Sequence, residues 1–306
     1  VLDDGVLSNR KLTLIAGSGF VLVNDNVGVN GGLALDELDI QIAGDVFFRG
    51  AEATIDVGTL SIGSAIPVGA DVELDAAVNV AGNVDINTDT FTLDATLTTT
   101  LGGTVTVSNS DLAVLDAKIT SAGTVHFDDT TTGSISLRAD IETTDAGSAI
   151  TVDEAPITLI GNAMLSTNNG AITLDEIRDD DAVSDRALSV AAGTGAVVID
   201  DNVGVNGDLA IASLDIQSAG DVHFSGLQAT VDVNALTIGS ATAIAVDVEF
   251  DAAVNVAGNV DINTSTLTLD APLTTTAGGA VTVTNSGVAD LNAKIDSAGT
   301  VHFDDT

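Results

Sequence analysis

Hydrophobic positions along this chain alternate with polar ones over very short distances. In "GNVDINTDTFTLDATLTTTLG", residues 82–102, Val84 and Ile86 flank Asp85, Phe91 and Leu93 flank Thr92, and Leu97 stands among threonines. Alternation of period two marks a strand with one buried face. Each run spans only three to five residues and is broken by Asn, Asp, Thr or Gly, the residues of turns. The pattern predicts Val84, Ile86, Phe91, Leu93, Val105, Val107, Val125 and Phe127 inward, with their mates in the second copy of a long repeat, and Asp85, Thr92, Thr106 and His126 outward. Segments of period 3.6 are nearly absent. The one helix-like patch, "LDEIRDDDAVSDR" at 174–186, reads as a polar loop.

These runs recur at two scales. A glycine, a small or polar residue, then apolar–x–apolar opens at Gly44, Gly82, Gly103, Gly123, Gly147, Gly170 and Gly195, with a less regular case at Gly63. "GDVHF" at Gly220 then restarts the series begun by "GDVFF" at Gly44. The long period is therefore 176, and its eight steps average about 22 residues each. At this longer scale, residues 1–130 align with 177–306 without a gap, 85 of 130 pairs being identical, and "SAGTVHFDDT" at 121–130 returns letter for letter at 297–306. Residues 131–176 occur once. A fixed period of this kind sets the fold.

Two or three short strands and their turns make one coil of about 22 residues, and coils stacked about 4.8 Å apart pair every strand in parallel. The predicted fold class is therefore all-β, a parallel β-helix or β-solenoid of about 14 coils. Its organisation is one continuous solenoid over 1–306, with a first long unit at 1–176 and a partial second unit at 177–306. The competing architecture is a string of immunoglobulin-like sandwiches, two to each long unit. It would carry longer hairpins, a core Trp or Tyr and prolines at domain joints, and none is evident. The chain starts "VLDDGVLSNR", with neither an initiator Met nor a signal peptide, as expected of a window cut from a longer tandem array.

Composition fits a solenoid interior. There is no Trp, Tyr or Cys, and one Met; 31 glycines stand against three prolines, and the eight Phe are the only aromatics. Slim Val, Ile and Leu stack well on a pleated surface, and proline cannot donate in a sheet paired on both sides. Without cysteine there are no disulfides and no thiol chemistry. No run of about 20 apolar residues is present to span a membrane as a helix. The charge is extreme, 45 acidic residues against 8 basic and a net −37. Such a field repels nucleic acid and anionic membranes and attracts cations.

Candidate chemistry is sparse. His126, His223 and His302 all sit as "VHF", each predicted to point outward, and the mate of His223 is Phe47. The acidic pairs Asp3–Asp4, Asp128–Asp129, Asp179–Asp180–Asp181 and Asp200–Asp201 suggest the acid and base of a β-helix carbohydrase. The cations that would grip a sugar acid, Arg10, Lys11, Arg49, Lys118, Arg138, Arg178, Arg186 and Lys294, are scattered instead. The expectation is no enzyme: no catalytic, cofactor-binding or metal-binding residue is assigned. "NDNVGVNG" at 24–31 has the spaced oxygens of a calcium loop but neither the spacing nor the closing Glu of an EF-hand. It reads as a turn, with loose calcium binding by the acidic surface left open.

The rungs "AGNVDI", "GGTVTV" and "AGTVHF" make the chain resemble the filamentous-haemagglutinin-type strand-repeat exoproteins of bacteria along its whole length. The resemblance implies a secreted, surface-displayed fibrous β-helix with a role in adhesion, matrix or filament building. The expected function is a structural subunit of an extracellular filament, its main partner being more of itself, with divalent cations as secondary partners. The stalk of a cell-surface adhesin is the alternative.

Overall fold

The computed structural model describes residues 10–28, 35–50, 53–129, 133–180, 186–204, 210–226 and 229–305. Among them there is no helix, about 60% of residues are in strands, and every strand pair is parallel. Coils follow one another about 22 residues apart and build a β-solenoid of about 12 turns, against the 14 expected from length alone. Two compact units are distinguished: Val1–Asp145 with Val152–Ala155, and Ala146–Thr151 with Pro156–Thr306.

Each unit is organised by interior columns of like residues. In the first, Leu38 pairs with Leu60, Leu60 with Val84, Val84 with Val105 and Val105 with Val125. In the second, Leu188, Leu214, Leu236, Val260, Val281 and Val301 pair in succession. All eight residues predicted to face inward in the first unit are fully buried. The outward four hold as well, Asp85 exposed and Thr92, Thr106 and His126 half-buried.

Three expectations need correction. Strands are longer than three to five residues: Val84–Leu93 has 10 and Val105–Leu115 has 11. The Asn, Asp and Thr residues that interrupt the alternation do not end the strand but bend it round a corner. There Thr88 and Asn109 turn inward, and the register slips between Asn109 and Leu112. The patch at 174–186 is not all loop, because Ile177–Asp179 is a strand with Ile177 buried, although residues 181–185 lie outside the described ones. Finally, Val301 and Phe303 keep the register of their mates Val125 and Phe127 but are 46% and 38% exposed, since no coil covers them here.

Most rung glycines are explained by space, whereas Gly147 has open space around it and is set by its positive φ of 82°. Gly103 sits on Gly82 of the preceding coil, and a methyl group on Gly103 would fall inside the Gly82 carbonyl oxygen. Thr99 donates to the Gly103 carbonyl at 2.6 Å and Ser121 donates to the same oxygen at 2.9 Å. The turn's polar groups are thereby satisfied in the interior, as buried polar groups must be.

The repeat supplies its own controlled experiment on burial. Val125→Asp places an unpaired charge in the core and should cost about 3 kcal/mol or more. Val301→Asp, the same change in an identical ten-residue string, should stay within about 1 kcal/mol. Urea unfolding of the two variants checks this, and equal losses would refute the assigned register.

Candidate functional site

The solenoid surface collects charge into columns, because in-register stacking repeats each outward position in the next coil. One corner column begins just beyond the strand ends. Asp75 donates its backbone N–H to the Phe48 carbonyl, Asp94 to Leu74, Asp116 to Leu93 and Arg138 to Leu115. The same bond joins Arg49 to Val23. The column therefore reads Arg49, Asp75, Asp94, Asp116, Arg138: three carboxylates between two guanidinium groups. Like charges one strand spacing apart repel by about 1 kcal/mol even in bulk water. Arg49 bonds Glu73 at 2.6 Å and lies 3.8 Å from Asp75, with its guanidinium 4.4 Å above the Phe47 ring. Arg138 meets Asp116 at 3.2 Å.

The second unit builds the same corner with different residues. Backbone bonds again run from Ser225 to Ile199, Asp251 to Phe224, Asp270 to Phe250 and Asn292 to Leu269. Arg49 has become Ser225, which donates to Asp200 of the coil before. Asp116 has become Asn292, which donates its side-chain amide to Asp270 at 2.8 Å. Glu249 and Asp251 keep the places of Glu73 and Asp75, but opposite Glu249 stands His223 in place of Phe47. His223 Nε2 is 3.1 Å from Asp251 Oδ2 and 3.8 Å from Glu249 Oε2. Beneath this face Phe224 and Phe250 stack at 4.9 Å. A register irregularity between Ile244 and Asp247, matched between Val68 and Asp71, precedes both clusters. Bulges of this kind re-aim the residues after them.

Burial holds the Asp75 carboxyl above its ordinary value; Glu73 and Asp94 add to the rise and Arg49 opposes it. Glu249 is raised for the same reason, with Asp251, Asp247 and Asp270 adding and His223 opposing. Asp179 is raised by burial, against the N–H groups of Arg186 and Asp180 that donate to it. Asp39 goes the other way. Burial would raise it, but hydrogen bonds from Ser64, Lys11 and Gln41 outweigh that effect. Lys11 is raised in turn, by Glu37 first and then Asp39.

The other residues singled out in the sequence separate into ordinary structure. His126 points outward and meets Asp153 at 2.8 Å, and His302 is exposed. In the loop "NDNVGVNG", Asn26 accepts the Thr54 backbone N–H at 2.8 Å, and Asn202 in the second copy accepts that of Thr230 at 2.9 Å. Asp25 and Asp201 each cap the following N–H. Residues 29–31 of that loop, Asp3, Asp4, Asp181 and the side chain of Asp129 lie outside the described residues. Lys118 reaches Glu142 at 2.6 Å, and Lys294 reaches Asp296 at 2.7 Å. The grouping that the sequence pattern does not reveal is His223 with Glu249 and Asp251. Its signal was the joint exchange of Phe47 for His223 and Arg49 for Ser225 around retained acids.

Comparison of the chain with family models, with curated proteins and with solved structures finds no match.

The shifted carboxyls set a direction for stability against pH. A group whose folded value is raised binds its proton more readily when folded. Its contribution is thus present at low pH and falls as pH rises through the window above the ordinary 3.8 of Asp or 4.5 of Glu. Asp39 opposes this only below its ordinary value. Acidification from pH 7 toward these ordinary values should therefore raise the melting temperature, and Glu249→Gln should reduce that rise. Melting curves across this range check it; a monotonic fall on acidification would contradict it.

Proposed function

We propose that this chain is a non-enzymatic structural segment of an extracellular fibre, built by stacking repeat upon repeat. One observation carries the reading: two apolar coil faces left open among the described residues are covered elsewhere in the chain by the same segment. In the first unit Leu115 and Ile119 lie under Leu137 and Ile141. Their mates Leu291 and Ile295 lack that cover, and Leu291 is 43% exposed against 1% for Leu115. At the other face, Leu12, Leu14, Val21 and Val23 line an apolar cleft of about 400 Å³. Their mates Leu188, Val190, Val197 and Ile199 are fully buried beneath Ala163, Leu165, Ile172 and Leu174. The covering strands in both cases come from residues 131–176, the part of the repeat present once. The faces thus fit a further repeat, whether in the same chain or from another copy.

An apolar coil face left open pairs with whatever matches it, and stacking of this heterologous kind does not close into a ring. The acidic coat suits a fibre that must stay apart from its neighbours. The cations Arg49, Lys118, Arg138 and Lys294 are each engaged by a nearby carboxylate, which favours this reading over a carbohydrase. The adhesin stalk is kept as the second reading because it uses the same open faces to carry a tip.

Appending residues 131–176 after Thr306 should slow amide exchange over 289–305 to the level of 113–129, and unchanged exchange would count against repeat stacking. Imaging of the native material addresses the role itself. Long fibres with an axial repeat of about 38 Å, the height of eight coils at about 4.8 Å each, support the filament. Rods bearing a globular tip support the stalk, and compact monomers would exclude both.

A further inference from the structure

We propose that His223, Glu249 and Asp251 form a binding site for one divalent transition-metal ion of the zinc class, clipping two adjacent coils of the second unit. The inference starts from geometry. His223 lies on Asp221–Phe224, Glu249 on the neighbouring strand Ile244–Phe250, and Asp251 just beyond it. His223 and Glu249 are direct register partners in parallel strands. Glu249 and Asp251, two residues apart, share one face. The imidazole and the two carboxylates each offer one ligand atom, and all three atoms lie within 4.8 Å of one another. Donors around a tetrahedral zinc at its usual bond lengths sit about 3.3 Å apart. The observed 3.1 and 3.8 Å from Nε2 to the two carboxylates bracket that edge.

The side chains are held by rigid parts. Both strands are hydrogen-bonded into the sheet, and the stacked Phe224 and Phe250 fix the opposite side of the same two strands. All three ligands remain partly open to solvent, so an ion can enter and keep water in its remaining position.

A second observation is independent of this geometry. The chain holds the same acids twice, and in the first unit a permanent cation occupies them: Arg49, seated on Phe47, bonds Glu73 and approaches Asp75. In the second unit both members of that pair are exchanged together. Ser225 turns to Asp200 of the preceding coil and supplies no charge, while the position of Phe47 becomes His223. The acids have therefore lost a guanidinium and gained a metal-ligating nitrogen. Asp247 and Asp270 add negative charge to Glu249, and one buried oxygen of Asp247 has no hydrogen-bond partner. A single imidazole carries at most one charge against three to four surrounding carboxylates, whereas a bound divalent cation supplies two. The donor set also selects the ion. One nitrogen with carboxylate oxygens suits zinc or cobalt, while calcium and magnesium favour all-oxygen cages.

The test uses the whole chain with Zn²⁺ and Co²⁺ as probes, in buffer containing enough NaCl to screen the diffuse acidic field. Calorimetry should find one tight Zn²⁺ per chain, and Co²⁺ should give the visible absorption of a nitrogen-ligated, low-coordinate ion. The decisive variant installs the first unit's own solution, His223→Phe with Ser225→Arg, a combination already accommodated at Phe47 and Arg49. It should fold with an unchanged strand spectrum and lose Zn²⁺ affinity about tenfold or more. The reciprocal pair, Phe47→His with Arg49→Ser, should create a second equivalent of binding beside Glu73 and Asp75. Zn²⁺ binding unchanged by His223→Phe/Ser225→Arg, or Ca²⁺ matching Zn²⁺ in affinity and stoichiometry, would overturn the proposal. Either result would reduce the cluster to one more part of the acidic surface.

Discussion

The structure depends on one constraint: consecutive coils must hydrogen-bond in parallel and in register along every strand they share. A single coil has too little apolar surface to fold alone, so each column residue is buried only by its neighbours above and below. Leu38, Leu60, Val84, Val105 and Val125 form such a column, and none is more than 1% exposed. The constraint also governs the turns. Where coils approach closely, as at Gly82 and Gly103, there is no room for a side chain, and Thr99 and Ser121 use their hydroxyls to satisfy the Gly103 carbonyl. The same stacking that builds the apolar interior must then repeat charge on the outside.

That last consequence explains the acidic corner. An outward Asp in one coil lies a strand spacing from the same position in the next, so a column of acids is self-repelling unless something interrupts it. The first unit flanks Asp75, Asp94 and Asp116 with Arg49 and Arg138. The second replaces one acid by Asn292 and sets His223 beside the rest. Two related copies thus meet one electrostatic problem with different residues, Phe47 and Arg49 in one answering to His223 and Ser225 in the other.

The interior was legible in the sequence because period-two alternation is local: Val84, Ile86, Phe91 and Leu93 can be placed without knowing what they touch. The corners were not. Thr88 and Asn109 read as strand breakers, yet a solenoid corner lets the backbone keep its ladder while the side-chain phase shifts, so ten- and eleven-residue strands result. The charged cluster was harder still. An even step along the chain does not place Phe47 opposite Glu73 or His223 opposite Glu249. Both of those spans are longer than the average coil, while the next, from Glu73 to Thr92, is shorter. A long coil followed by a short one preserves the average and hides the contact. Val301 and Phe303 show the complementary limit: alternation fixes which way a residue faces, but burial requires a neighbour that the local pattern does not contain.

Unequal coils also account for the absence of gaps between the two copies. A coil stacks fully only on one whose irregularities match its own. The slip between Val68 and Asp71 lies over Thr88 and Thr90, and its second copy, between Ile244 and Asp247, lies over Thr264 and Thr266. Adding one residue between Thr88 and Thr90, or between Thr264 and Thr266, would invert the faces of everything beyond it in that strand, moving Phe91 or Leu267 outward and a threonine in. Unpaired backbone groups would be left at the slip as well. The order of long and short coils therefore acts as a key within each long unit. Loops in separate domains can drift in length, but here a length change in one coil must be answered by its neighbour. Side-chain exchanges such as Phe47 to His223 leave every coil length intact, so the two copies have diverged by substitution alone.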